Sequence, residues 1–297
     1  MKARFLALFI IPVTIIASCT REKPEVPEDN PEVVTEPADS VWHITIQASK
    51  GADTKALYLD TSGGKDVLNA YWKAGEKVKV YNGSSLLGTL DVTPGSGDYP
   101  TTATLSGIVS ISGLAQGNQL TLLIPRETWN YTGQVGTLES LQSNYDYATA
   151  TVTINNIETS TNTVSTTAAT FNNQQSVYRF AFKKDNADFS IRDFSILSAG
   201  NRIVSATTLG GTPTLGGFTV TPASATNAPL FVAICNTGTT DDTYNFIITG
   251  SDDALYMATK DIPARVLDVP GKFISAKNIN ATKSDFAPVD GTTDTAL

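Results

Sequence analysis

From Val41 onward, apolar and polar residues alternate with a period of two along most of the chain. The first such run places four apolar residues on one face: Trp42, Ile44, Ile46 and Ala48. The other face is polar, with His43, Thr45 and Gln47. Because successive side chains of a strand point to opposite faces, this alternation predicts half-buried β-strands.

Similar runs recur along the chain, at 77–81, 86–92, 102–109, 119–125, 147–154, 177–182, 189–197, 202–207, 217–220, 229–235, 244–249, 254–259 and 273–279. Turn-forming pairs such as Asn82-Gly83 and Gly210-Gly211 separate them. Helical periodicity is confined to two short pieces, 67–71 and 138–143. The pattern predicts an all-β protein of two tandem antiparallel β-sandwich domains, 41–165 and 166–297, with the boundary in the Thr- and Asn-rich stretch 156–175.

The first eighteen residues have the layout of a secretory signal peptide. Lys2 and Arg4 precede an apolar run at 5–16, which is shorter than the ~20 residues needed to cross a bilayer. Ile16-Ala17-Ser18-Cys19 matches the bacterial lipobox, in which the cysteine thiol takes the lipid. We therefore expect residue 19 to be the lipid-attachment site; the alternative is an ordinary signal peptide with a cysteine near the cut.

Residues 19–40 have the composition of a tether. Four prolines, at 24, 27, 31 and 37, are spread among acidic residues. Such a stretch has little apolar surface to bury and cannot continue a helix, so we expect it to hold the folded part away from the lipid surface.

The composition also argues against several classes of function. The chain has 29 acidic and 21 basic residues without a basic cluster, so nucleic acid is not an expected partner. His43 is the only histidine, which removes histidine-dependent triads and multi-histidine metal sites. Cys235 has no expected disulfide partner and fits a buried strand position. We expect that the chain is not an enzyme and that it has no cofactor and no metal site.

Two groups of side chains leave alternatives open. The carboxylates Asp241-Asp242, Asp252-Asp253 and Asp185/Asp188 suit turns, or else a calcium site or a glycosidase pair. The aromatic residues Trp129, Tyr131, Tyr145 and Tyr147 suit core packing, or else a sugar-stacking platform. A glycosidase pair would make the chain an enzyme, and a sugar-stacking platform would make it a surface glycan-binding lipoprotein.

Motifs over most of the chain resemble the fimbrillin-like proteins of the Bacteroidota, the lipoprotein-derived major and minor pilins. The family pattern is a basic residue before Ala, then W-x-x-G-(D/E)-x-(I/V)-x-(V/I)-Y. This chain has Lys55-Ala56, followed by Trp72-Lys73-Ala74-Gly75-Glu76-Lys77-Val78-Lys79-Val80-Tyr81. Further likeness lies at 131–138, 145–148, 177–182, 261–264 and 270–273.

The resemblance implies transthyretin-like sandwiches with Greek-key topology and a mechanism of assembly. A trypsin-like surface protease specific for Arg or Lys cuts in the loop after the first strand. Removal of that strand opens an apolar groove, which the terminal strand of a neighbouring subunit fills. In this chain the cut corresponds to Lys55-Ala56, and the removable strand carries Trp42, Ile44, Ile46 and Ala48. The polar residues 49–54 before the cut are expected to form an exposed loop.

The function expected from the resemblance is therefore a fimbrial subunit, or an accessory subunit, that supports cell adhesion. Its expected partners are other pilin subunits in a head-to-tail polymer, the protease, the outer membrane through the lipid, and an adhesion ligand on a host or bacterial cell. An uncut anchor or tip subunit, or an ordinary solvated Lys55, is the alternative. The expected location is the cell surface, as an outer-membrane lipoprotein or in the fimbrium.

Overall fold

The structure, a computed structural model, describes residues 41–51, 58–62, 65–264 and 271–283. Most of these residues lie in β-strands, as predicted, and the described part of the chain has one short helix, α1 (Leu138–Asn144). Within the described part of the chain, no helix is long and apolar enough to cross a membrane.

The first sheet contains eight strands, mostly from the first half of the chain. They are β1 (Val41–Lys50), β4 (Lys77–Asn82), β5 (Ser85–Pro94), β6 (Thr102–Ser110), β7 (Gln119–Ile124), β9 (Ala148–Glu158), β10 (Thr163–Thr166) and β11 (Ala169–Asn173). A separate hairpin is formed by β2 (Tyr58–Ser62) and β3 (Lys65–Asn69).

This first sheet closes on itself. The order of its strands runs from β1 through β11, β9, β7, β4, β5 and β6, and β6 pairs back onto β1. The prediction of a two-layer sandwich therefore needs a correction here: the sheet is barrel-like, because β1 has a partner on each of its edges. Its interior is a core of alternating inward residues, among them Val78, Leu90, Leu105 and Leu120.

The second half of the chain forms two further sheets. One contains β8 (Thr128–Asn130), β12 (Ser176–Lys184), β13 (Ala187–Asp188), β15 (Ile203–Thr208), β16 (Thr214–Leu215), β18 (Leu230–Asn236) and β21 (Phe273–Asn280). The other contains β14 (Ile191–Ser198), β17 (Phe218–Val220), β19 (Asp242–Gly250), β20 (Leu255–Ile262) and β22 (Thr282–Lys283).

Aromatic side chains hold these two sheets face to face. Phe180 of β12 packs edge-on against Phe194 of β14, with ring centroids 6.0 Å apart, and against Phe246 of β19 at 5.2 Å. Because Phe180 belongs to one sheet and its two partners to the other, the rings fill the space between the layers. This part of the chain is a β-sandwich, as the alternation predicted.

The segment before β9 contributes to the second core. Trp129, Tyr131 and Tyr147 pack with residues of the second half of the chain, and β8 pairs with β15. Gln134 is buried and behaves like a strand backbone: its amide donates to the carbonyl of Ala233 at 2.8 Å and accepts from the N–H of the same residue at 2.8 Å. These two hydrogen bonds satisfy the buried amide of Gln134 and connect the loop at 131–136 to β18.

Two local predictions had different outcomes. The turn of helix expected at 138–143 is confirmed by α1, whose first turn is capped by the Thr137 hydroxyl, which accepts from the Ser140 N–H. The helical turn expected at 67–71 is wrong, because 65–69 pair with 58–62 as a hairpin. Short strands such as β8, β10 and β11 were not anticipated, and β11 joins the first sheet although it follows residue 165.

The second core provides a test of the sandwich. Phe194→Ala removes a ring with no exposed surface, so we expect the free energy of unfolding to fall by about 3–5 kcal/mol. Leu197→Ala, on the same strand but 39% exposed, is the matched control and is expected to change it by about 0.5 kcal/mol. Urea unfolding followed by tryptophan fluorescence measures both, and equal losses would contradict the assignment of the two faces of β14.

Candidate functional site

The first strand has the two faces that its sequence predicts. Trp42, Ile44, Ile46 and Ala48 point into the first core and are 8%, 1%, 1% and 4% exposed. His43, Thr45 and Gln47 lie on the exposed face. The inward face of β1 therefore fills a slot in the barrel-like sheet, which we call the β1 slot.

Both edges of β1 are hydrogen-bonded to other strands. On one edge it runs antiparallel to β6 along nearly its whole length, from the pair Val41–Ser110 to the pair Ser49–Thr102. On the other edge it runs parallel to β10 at His43–Thr163 and to β11 at Lys50–Phe171. Removing β1 would thus leave two rows of unpaired backbone groups, which form a template for another strand.

Apolar side chains line the β1 slot. Val109 lies opposite Trp42, and Leu105 lies opposite Ile46, while Val164 and Phe171 contribute from β10 and β11. Each large apolar side chain taken out of water contributes about 1.5–3 kcal/mol, so the inward face of β1 contributes several kcal/mol to keeping the slot filled. An empty slot would have the same driving force to take a replacement.

The inward face of β1 ends at a lysine. Lys50 is 8% exposed, and its ammonium group donates to the carbonyl of Tyr71 at 2.8 Å and lies 3.4 Å from the carboxylate of Glu76. The ammonium also lies 4.4 Å from the ring centroid of Trp72, in cation–π geometry. The expectation that residues 49–54 form an exposed loop is therefore wrong for Lys50, because the strand continues through it with the same alternation.

The partners of Lys50 come from the segment that carries the W-x-x-G-E motif. Gly75 turns the chain at φ +86°, a conformation open to glycine, and brings Glu76 back to Lys73, whose N–H donates to the Glu76 carboxylate at 3.1 Å. Burial raises the pKa of the Glu76 carboxyl, while the charge of Lys50 opposes that rise. We call Tyr71, Trp72 and Glu76 the lysine pocket. Sequence reasoning missed it, although Lys50 continues the spacing of 42, 44, 46 and 48.

Three predicted site residues lie outside the described residues: Cys19, Lys55 and Ala56. In chain order, Lys55 and Ala56 fall between the end of β1 at Lys50 and the start of β2 at Tyr58. The structure describes the strand that precedes the predicted cut and the slot that this strand fills.

The four aromatic residues do not form an exposed platform. Trp129, Tyr131, Tyr145 and Tyr147 are all buried, and the rings of Tyr131 and Tyr147 meet edge-on at 5.3 Å. Their polar atoms have partners within the protein: the Tyr145 hydroxyl donates to the carbonyl of Thr132 at 2.9 Å, and the Tyr131 hydroxyl donates to the side-chain oxygen of Gln175 at 3.3 Å. They pack in the second core, so none of them offers a ring face to a sugar.

The predicted acidic pairs lie at turns and strand ends. The carboxylate of Asp242 accepts from the N–H groups of Gly200 and Thr243, and that of Asp252 accepts from the Tyr256 hydroxyl at 2.7 Å. Asp185 and Asp253 have φ values of +50° and +62°, as turn residues do. The described residues contain no cluster of three or more His, Cys, Asp or Glu side chains that could hold a metal ion.

Cys235 lies in a strand, β18, as its sequence context predicted, and it is half-buried against the second core. Burial raises the pKa of its thiol to about 11. Because the thiolate is the reactive form, the folded protein holds this cysteine largely in its unreactive thiol state at neutral pH.

No protein-family model and no curated protein sequence matches the chain. Among solved structures, it is similar to a Bacteroides uniformis protein provisionally described as a cell adhesion protein, with 15% identity over 72% of this chain and 83% of that one, and a TM-score of 0.38. A Bacteroides ovatus protein with the same provisional description has 12% identity over 82% and 95%, and a TM-score of 0.38. The C-terminally truncated tip fimbrial protein Mfa3 of Porphyromonas gingivalis has 10% identity over 74% and 81%, and a TM-score of 0.36.

These structures are of the kind that the sequence resemblance named. Their likeness to this chain is remote, since none of the three is more than 15% identical to it.

The β1 slot makes a prediction about stability. Ile46→Ala deletes a side chain with 1% exposure from the slot, so we expect the free energy of unfolding to fall by about 2–5 kcal/mol. Ile108→Ala on the neighbouring strand β6 is the matched control, since Ile108 is 51% exposed and is expected to tolerate the change within about 0.5 kcal/mol. Urea titration of both variants checks the difference, and a larger loss for Ile108→Ala would rule out the assigned inward face.

The thiol of Cys235 gives a pH prediction. In a Cys19→Ser variant, which leaves one cysteine, we expect slow reaction with Ellman's reagent at pH 8. The rate should rise about tenfold for each pH unit until the pH approaches the thiol pKa of about 11, because the thiolate fraction rises in that proportion. Unfolding in urea should make the thiol react quickly at pH 8; rapid labelling of the folded protein would show that the thiol is not shielded.

Proposed function

We propose that this chain is a subunit of a surface fimbria that polymerises by donor-strand exchange and supports cell adhesion. In this proposal the chain is exported as a lipoprotein anchored through Cys19 to the outer membrane. A trypsin-like protease cuts between Lys55 and Ala56, β1 leaves, and a strand of a neighbouring subunit enters the β1 slot. In this proposal the two domains are transthyretin-like with Greek-key topology, and β11 belongs to the first of them.

The observation that carries this proposal is the position of β1 in a closed sheet. A strand at a sheet edge has one paired side, whereas β1 pairs with β6 on one side and with β10 and β11 on the other. Its removal would leave a slot with two unpaired edges and an apolar floor. Such a slot binds an extended peptide through its backbone and selects it through alternate side chains.

The connection after β1 supports the place of the cut. A protease must take its substrate in an extended, accessible form, whereas β1 is paired on both of its edges and has its Lys50 side chain in the lysine pocket. Lys55 is five residues further along, before β2. A cut there would separate β1 from the rest of the chain without breaking another described strand.

The contact made in this way is directional. The slot of one copy takes a strand from another copy, whose own slot remains open to a third. A head-to-tail contact that does not close on itself produces a filament. An uncut copy keeps β1 and its lipid, and in this proposal it is the anchor of the structure.

The proposal predicts a defined mature form. On cells that export the chain together with a surface protease of trypsin-like specificity, we expect a product whose N-terminal sequence begins at Ala56, and SDS-resistant ladders in unheated samples. Lys55→Gln should abolish both, because the protease needs a basic residue before the cut. N-terminal sequencing and gel electrophoresis of sheared surface material are the measurements.

Lys77→Gln is the matched control, since the side chain of Lys77 is 59% exposed on β4 and follows the predicted cut in the sequence, after β2 and β3. It should leave the Ala56 terminus and the ladders unchanged. Full-length lipidated chain as the sole surface species would refute the polymerising subunit and leave the anchor role. Ladders that persist in Lys55→Gln would refute the cut at this residue.

A further inference from the structure

Lys50 holds the one charged position on the inward face of β1. Taking an ammonium group out of water is costly unless a counter-charge and hydrogen-bond acceptors replace the water. The lysine pocket supplies the counter-charge in the carboxylate of Glu76 and an acceptor in the carbonyl of Tyr71, and the ring face of Trp72 adds a cation–π contact. The pocket is therefore built for a cation that enters along the strand.

Loss of β1 would leave the lysine pocket without its cation. The carboxylate of Glu76 would lose its cation, while the charge of Asp146, which also acts on Glu76, would remain. An unpaired carboxylate at the end of an apolar slot disfavours a strand that brings only apolar side chains to that position. A strand with a lysine at the position of Lys50 restores the pair and fixes the register, since a shift by one residue would turn the lysine outward.

The described chain contains a second segment with this pattern. The two segments are Ile46-Gln47-Ala48-Ser49-Lys50 in β1 and Ile279-Asn280-Ala281-Thr282-Lys283. The three inward positions of β1 have the same residues in both segments: Ile, Ala and Lys. The two outward positions carry an amide side chain followed by a hydroxyl side chain in both. Ile279 and Ala281 are buried in the second core, as Ile46 and Ala48 are in the first.

The upstream part of β21 also fits the slot when its observed bulge is kept. The pairing of β21 with β12 passes from Phe180–Ala276 to Phe182–Ile279, so β21 has one extra residue there. With that bulge, Ile274 and Ala276 fall at the positions of Trp42 and Ile44. The inward set becomes Ile, Ala, Ile, Ala and Lys, four apolar residues followed by the cation.

We propose that the lysine pocket selects the strand that enters the β1 slot, and that Lys283 of a second copy is the lysine it takes. This inference rests on the proposed function and adds the partner's chemistry and register to it. Moving Ile279 and Ala281 from the second core of one copy into the slot of another exchanges one buried environment for another. The ion pair with Glu76 then distinguishes this strand from other amphipathic strands.

The test uses the full chain with Cys19→Ser and with residues 52–57 replaced by the recognition sequence of a site-specific protease, so that β1 can be cut free. Fluorescent peptides are added in excess to the cut protein, and binding is measured by size-exclusion chromatography and by anisotropy. A peptide of residues 41–50 is the positive control for exchange. The test peptide covers residues 274–283.

We expect the 274–283 peptide to bind, and its Lys283→Met form to bind weaker by on the order of a hundredfold, because one partner of a buried ion pair is then missing. The matched control is the Lys277→Met form of the same peptide, which removes a positive charge at the bulge. Its binding should differ from that of the unaltered peptide by less than about threefold. On a Glu76→Gln chain, the difference between the unaltered and Lys283→Met peptides should fall to less than about threefold. The comparison of the three peptides on the chain with native Glu76 stands by itself, because the peptide variants leave that protein unchanged.

Equal binding of the unaltered and Lys283→Met peptides would overturn the inference, and so would equal weakening by Lys277→Met. Exchange with the 41–50 peptide but not with 274–283 would overturn the assignment of Lys283. If the cut protein exchanges with neither peptide, the proposed function itself fails. The two failures are thus distinguished in one series of measurements.

Discussion

The pairing of β1 on both of its edges is the constraint on which the first half of the structure depends. β6 and β11 are far apart in the chain, and β1 joins them by hydrogen-bonding to one on each side. This arrangement closes the sheet and encloses the core that Val78, Leu90 and Leu105 fill. The strand that closes the barrel-like sheet is also the first strand of the described chain. The part that completes the fold is therefore attached to the remainder by a single connection.

The end of β1 shows how a charge can be part of an apolar strand. Lys50 occupies an inward position that the alternation would give to an apolar residue, and the segment with Trp72 and Glu76 surrounds its ammonium group. The W-x-x-G-E motif, which the sequence presented as a mark of resemblance, has a local structural role here. It folds into a pocket for the last inward side chain of the strand. This pocket adds an ion pair to the apolar contacts that hold β1 in the first core.

Much of the fold could be predicted from alternation alone. The strand at 41–48 and those at 77–81, 102–109 and 244–249 appear within one or two residues of their predicted limits, because their inward faces are apolar over several alternations. The hairpin at 58–69 and short strands such as β8 and β10 could not be predicted, since their pairing is set by distant partners and not by their own pattern. The helical turn expected at 67–71 failed for the same reason.

The sequence by itself determined that the chain is rich in strands, which face of β1 is apolar, and that Cys235 suits a buried position. These properties are local, because they follow from the period of two and from the polarity of each side chain. Only the tertiary structure decided that β1 closes a sheet, that Lys50 is buried beside Glu76, and that the four aromatic residues from Trp129 to Tyr147 pack in the second core. Each of these depends on contacts between residues far apart in the chain, and the register of such contacts is fixed by packing and hydrogen bonding across the whole fold.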